Sequence, residues 1–282
     1  MKLLLKTSRV GPGLVVSTLL VSLVIGPALP DWAGIPLFFS GLTIAGVLLS
    51  GHAESYAVQA LCRARKLNAP ERAGMAPTIA ELCQLGLGPP VVELFVDRRR
   101  GSAEVTACGR RSVVVPPEFV EDVVSENLPH GEAVAILVHA ALVARLGLSS
   151  QDPAIIFWSA PWRILCTCAR PLGGIVFVGW KMRYVVFVIA MGQSITAGGL
   201  PGMSTAVVLG FTLLLTYLVP RWSARWAEYA INTADRALLA YGLGPAMAAY
   251  LRRVPQTIPV IGRLRVLDSA TPARSRLRIV RT

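Results

Sequence analysis

Charge is scarce in this chain. Asp, Glu, Lys and Arg make up 16% of its 282 residues, against 54% hydrophobic residues and a mean hydropathy of +0.57. That balance excludes an ordinary soluble domain and points to membrane-spanning segments. Acidic residues are the scarcer sign, 16 against 28 basic, for a net charge of +12. The basic residues are not interleaved with aromatics as a nucleic-acid stripe would be. They flank the apolar segments, so the partner expected from charge is a bilayer with anionic headgroups, with no nucleic acid. Cysteine is limited to Cys62, Cys83, Cys108, Cys166 and Cys168. The odd number shows no secreted-scaffold pattern, and Cys166 and Cys168 stand too close for a CxxC site. They are expected as reduced thiols on the cytoplasmic side. A Gly-x-Ser-x-Gly elbow, a phosphate loop and a dinucleotide fingerprint are all missing, which leaves serine hydrolases and nucleotide enzymes without support.

What is present divides into four consecutive stretches. Residues 1–52 hold Lys2, Lys6 and Arg9 and then two apolar runs, 14–29 and 34–50. The turn Pro30-Asp31-Trp32 joins them, which predicts a transmembrane hairpin with cytoplasmic ends. Residues 53–172 change character. Helical spacing over 55–66 and 76–85 is followed by a strand at 91–96 and a hairpin, 104–108 with 112–115, around Gly109-Arg110-Arg111. A helix at 118–127, its acidic face suited to solvent, leads to a second helix at 131–145. Residues 173–220 contain the end of an interfacial segment (155–180) and two more apolar runs, 184–200 and 203–219, predicting a second hairpin. Residues 221–282 hold a helix at 224–241, a short helix at 246–253 and a strongly basic tail, 263–281, expected against headgroups or the cytoplasmic domain.

The helix at 131–145 is apolar almost all the way round, with Pro129 near its start and Gly147 just past its end, so it should be buried on nearly every side. His139 sits at its middle, where an unpaired histidine is costly. Its bland explanation is a core histidine bonded to Glu228, Asp235 or a backbone carbonyl. Asp235 itself has an ordinary explanation as a helical partner of Arg225 or Arg236, and Arg110 and Arg111 read as solvated turn residues.

The order of these segments resembles the HtpX-like membrane zinc metallopeptidases, gluzincins related to the CaaX prenyl proteases. Residues 104–115 look like the family's groove hairpin, with Val105, Thr106, Ala107, Cys108 and Gly109 on the substrate side. Glu132 stands seven residues before His139, where the family has an acidic residue. Ala234-Asp235-Arg236-Ala237 matches the second half of its late-helix motif, and Thr271-Pro272 with Arg276 or Arg278 looks like a remnant of its C-terminal His-Pro step. The resemblance implies an α-helical integral membrane protein with four transmembrane helices and an α+β gluzincin-like metallopeptidase domain carrying a small β-sheet. It also implies residence in the cell membrane with both termini cytoplasmic.

The chemistry departs from that family. Its HExxH helix supplies two histidines for Zn²⁺ and a glutamate that activates the bound water. Aligned on His139, this chain has Ala140 at the base position and Val143 at the second ligand, and Ile231 falls on the third ligand. Only His139 is left of the set. Of the other histidines, His52 ends a predicted span and His130 begins the same central helix, far from the ligand face. The expectation is therefore a pseudoprotease without cofactor, acting as a membrane-anchored peptide- or partner-binding subunit. The rival expectation is an active zinc endopeptidase with a site rebuilt from His139 and Glu228.

Overall fold

A computed structural model describes residues 2–22, 30–98, 104–149, 152–168, 185, 188–189, 191–193, 195–196 and 199–269. The chain is mostly helical with one small mixed sheet. Its elements are α1 (Lys2–Leu20), α2 (Asp31–Ser50), α3 (Glu54–Leu61), β1 (Ala64–Lys66), α4 (Ala69–Leu85), β2 (Glu93–Asp97), β3 (Thr106–Cys108), β4 (Ser112–Val115), α5 (Pro117–Val124), α6 (His130–Arg145), α7 (Pro153–Trp158), α8 (Ala160–Cys168), α9 (Gly199–Ala240), α10 (Gly244–Arg253) and α11 (Ile258–Ser269). They fall into two compact units, each assembled from two separate stretches: Met1–Thr43 with Phe157–Trp226, and Ile44–Ile156 with Ala227–Thr282. The chain passes from one unit to the other within three helices, α2, α7 and α9.

In the first unit α1 packs on α8. Trp158 donates its indole N–H to Thr18 Oγ1 at 3.0 Å and meets Phe38 edge-on, with ring centroids 5.9 Å apart. Among the described residues one helix is long and apolar enough to cross a membrane, Trp32–Ser50, 19 residues with mean hydropathy 1.8 and only 11% buried. Four such helices were expected. The runs 14–29 and 184–200 extend into residues outside the described set. The run 203–219 lies within α9, which continues without a break to Ala240 through Pro220, where a span and a separate late helix were expected.

The second unit is built around α6. Its sheet has the order β1-β2-β4-β3. The β2–β4 pair is parallel and the two outer pairs are antiparallel, so β1 and β3 are edge strands. Helix α6 contributes Ala133 through Val138, Ala140, Ala141 and Leu142 to the main core, where α4, α5, α10, α11, β2 and β4 bury their apolar faces. Pro129 supplies the N-cap of α6. At the other end the Gly147 amide bonds the Ala144 carbonyl and the Leu148 amide the Val143 carbonyl, a Schellman closure with Gly147 at φ 63°. Helix α4 starts at a reciprocal capping box between Asn68 and Glu71, seven residues earlier than apolar spacing placed it. The helix expected over 55–66 stops at Leu61: Arg63 turns the chain at φ 54°, and residues 64–66 join the sheet against β2.

Candidate functional site

Three helices of the second unit bring one polar cluster into this core. His139 comes from α6, Asp235 from α9 and Arg263 from α11. The Arg263 guanidinium takes Asp235 with both prongs, Nε to Oδ2 and Nη2 to Oδ1, each at 2.8 Å. His139 Nε2 lies 3.2 Å from Asp235 Oδ1 and 3.4 Å from Arg263 Nη2. The cluster is well enclosed, with side-chain exposures of 1% for Asp235, 14% for His139 and 17% for Arg263. Burial is the largest influence on the Asp235 carboxyl and pushes it up. Hydrogen bonds from His139 and Arg263, helped by the guanidinium charge, outweigh it and hold Asp235 below the ordinary carboxylate range.

This arrangement decides between the explanations left open for His139. Its carboxylate partner is Asp235, and the partners of Asp235 are His139 and Arg263, not Arg225 or Arg236. Glu228 is exposed and stands seven residues before Asp235, two turns or roughly 10 Å along α9, so it does not meet His139. Ala140 is buried, while Val143 and Ile231 are half-buried, and none of the three offers a metal donor or a base. Among the described residues no three His, Cys, Asp or Glu side chains stand close enough to hold a metal ion. His52 bonds Ser50, and His130 bonds Glu81 at an exposed site. Thr271, Pro272, Arg276 and Arg278 lie outside the described residues.

Glu132 occupies the first turn of α6, 6% exposed, and its Oε1 accepts from Arg253 at 2.8 Å. Its Oε2 is buried without a hydrogen-bond partner. The residues expected to line a groove lie on the edge strand β3, on its approach and in its turn. Val105 and Thr106 are half-buried, while Ala107, Cys108 and Gly109 are buried. Thr106, Ala107 and Cys108 pair with Val114, Val113 and Ser112. The Ala107 carbonyl is already taken by Ser149 Oγ at 2.7 Å. The acidic face of α5 is exposed as expected, at Glu118, Glu121 and Asp122, while the helix ends at Val124 and Glu126 stands in the turn beyond it at φ 59°.

Two further features were not anticipated. Glu54, 5% exposed at the start of α3, clasps the hairpin turn: its Oε1 accepts from the amides of Arg110, Arg111 and Ser112 and from Ser112 Oγ. Gly109 permits this approach, at φ 75° and with a hypothetical Cβ only 2.5 Å from Glu54 Oε1. The signal was a lone acid amid polar-apolar alternation, which reads equally well as a solvated helix start. The second is a thiol pair. Cys62 at the end of α3 and Cys108 on β3 stand with their Sγ atoms 2.8 Å apart, 46 residues apart in sequence. The contact with Cys62 and then burial push the Cys108 thiol well up.

The fold and site together define a class: a mostly helical protein whose second unit packs a small mixed sheet around an apolar helix, with a buried histidine–aspartate–arginine cluster. No protein-family model, curated protein or solved structure matches the chain.

Proposed function

We propose that the chain is a pseudoprotease related to the HtpX-like membrane peptidases, working as a membrane-anchored partner-binding subunit. The observation that carries this is Arg263. Where a peptidase of that kind would place a dication between the histidine helix and the late helix, the Arg263 guanidinium lies against His139 and is locked on Asp235. A guanidinium keeps its proton at any working pH and cannot generate hydroxide from water. Ala140 at the base position removes the proton acceptor as well.

Binding would then be the remaining use of the scaffold, through the edge strand β3 and its approach at Val105 and Thr106. Anchorage would come from α2, which exposes Trp32, Ile35, Leu37, Phe39 and Leu42, with basic residues on the cytoplasmic side meeting anionic headgroups. The partner is a protein or peptide in a membrane complex. The test is zinc content and casein or peptide hydrolysis of the detergent-purified full chain, together with photo-crosslinkers at Val105 and Thr106. Neither stoichiometric zinc nor hydrolysis is expected, and a reproducible crosslinked protein is. One zinc per chain that disappears with His139→Ala, accompanied by hydrolysis, would overturn the reading.

A further inference from the structure

We propose that Cys62 and Cys108 are a reversible thiol–disulfide pair that ties the edge strand β3 to the end of α3. Their sulfurs stand 2.8 Å apart, so a bond of about 2.05 Å needs less than about 1 Å of closure. The pair sits in its own small apolar cluster with Val58, Ala64, Phe95 and Val114, next to the sheet. The two sulfurs differ in access: Cys62 is half-buried and Cys108 is fully buried. That difference orders the chemistry.

A small disulfide such as oxidised glutathione supplies the oxidant. The Cys62 thiol loses its proton, and its sulfur attacks one sulfur of the small disulfide. That S–S bond breaks, and one small thiolate leaves and takes up the proton. Cys108 reacts second, as its raised thiol requires. It gives up its proton and attacks the Cys62 sulfur of the mixed disulfide, expelling the second small thiol, which carries that proton. The two protein thiols end oxidised by two electrons, and the small disulfide ends reduced to two thiols.

The bond would matter because α3 already holds the β3–β4 hairpin at its other end, through Glu54. Oxidation adds a covalent link at the end marked by Cys62, so α3 would grip the hairpin at both ends. Reduction leaves β3 held by β4, by Ser149 and by the Glu54 clasp. This inference does not depend on the pseudoprotease reading, since neither thiol touches His139, Asp235 or Arg263.

The experiment uses the detergent-solubilised full chain, wild type and a variant with Cys83, Cys166 and Cys168 replaced by serine. Both are treated with oxidised glutathione or with excess reductant, trapped by alkylation, and mapped by mass spectrometry. A peptide pair linked through Cys62 and Cys108, two hydrogens lighter than its reduced parts, is expected, and reductant should remove it. The oxidised chain should melt about 5–10 °C higher than the reduced chain. In Cys108→Ser the reaction should stop at a glutathione adduct on Cys62, and in Cys62→Ser position 108 should stay unmodified. The inference is overturned if both cysteines remain fully alkylatable after oxidation of the folded chain, or if the link forms only in denaturant. Mapping of the wild type keeps the test decisive even if a serine variant fails to fold.

Discussion

A guanidinium that meets a nearly inaccessible carboxylate through two 2.8 Å bonds has exchanged hydration for fixed partners. Its worth is decided by what remains when one partner goes. Arg263→Met leaves the Asp235 charge buried with only His139 beside it, which should cost about 3–5 kcal/mol in equilibrium unfolding of the solubilised chain. Replacing the whole cluster (His139→Leu, Asp235→Leu, Arg263→Met) should recover most of that loss, since no orphaned charge is left. If the triple variant is no more stable than Arg263→Met, the cluster is not a self-contained charge group. The pH dependence has a definite sign. The Asp235 carboxyl titrates lower in the folded chain than its ordinary 3.8. Its contribution is therefore present above the unfolded value and is lost as pH falls through the folded one. Wild-type stability should fall steeply below about pH 4, and Asp235→Asn should flatten that fall. Identical acid profiles would exclude Asp235 as its source. Removing Glu54 strands three amides and a hydroxyl. Glu54→Ala should destabilise by at least about 2 kcal/mol, and Glu54→Gln, which keeps an acceptor oxygen, by less.

Elements with a strong period or a hard stop were legible, and those decided by distant partners were not. Helix α6 was visible from its apolar run and the Pro129 and Gly147 punctuation; the β3–β4 hairpin was visible from residues 104–115. Strand β1 was hidden because residues 55–66 keep helical spacing up to a turn at Arg63 that only pairing with β2 explains. Within the site, His139 and Asp235 were recognisable as polar residues in apolar helices. Arg263 was not, because it opens a basic run that reads as headgroup-facing, and its burial depends on the packing of α11 against α10. Ser149 was also hidden, though it sits at a decisive place. Its hydroxyl caps the Ala107 carbonyl, one of the groups an incoming strand would need. Ser149→Ala should free that acceptor and raise crosslinking of a peptide at Val105, while Ser149→Thr, which keeps the hydroxyl, should not. Equal capture by all three chains would remove β3 as the binding edge.

At the scale of the whole molecule the chain passes between its two units within α2, α7 and α9. Helix α2 carries Trp32, Ile35, Phe39, Leu42 and Leu49 on open surface, a run of exposed apolar side chains of the kind that meets lipid or another protein. Either lipid or protein would cover it. A bilayer would do so along its full length, since 19 residues rise about 28 Å, close to the thickness of the hydrocarbon core. A second protein would have to match the apolar face that α2 leaves open, opposite Phe38, Ala45 and Leu48. The two coverings respond differently to alkaline carbonate, which strips proteins held by protein contacts and leaves lipid-embedded chains in the pellet. The full chain should remain in the membrane pellet after carbonate and leave it only with detergent. Release into the carbonate supernatant would mean that α2 is covered by protein, and the membrane-anchored reading would fall with it.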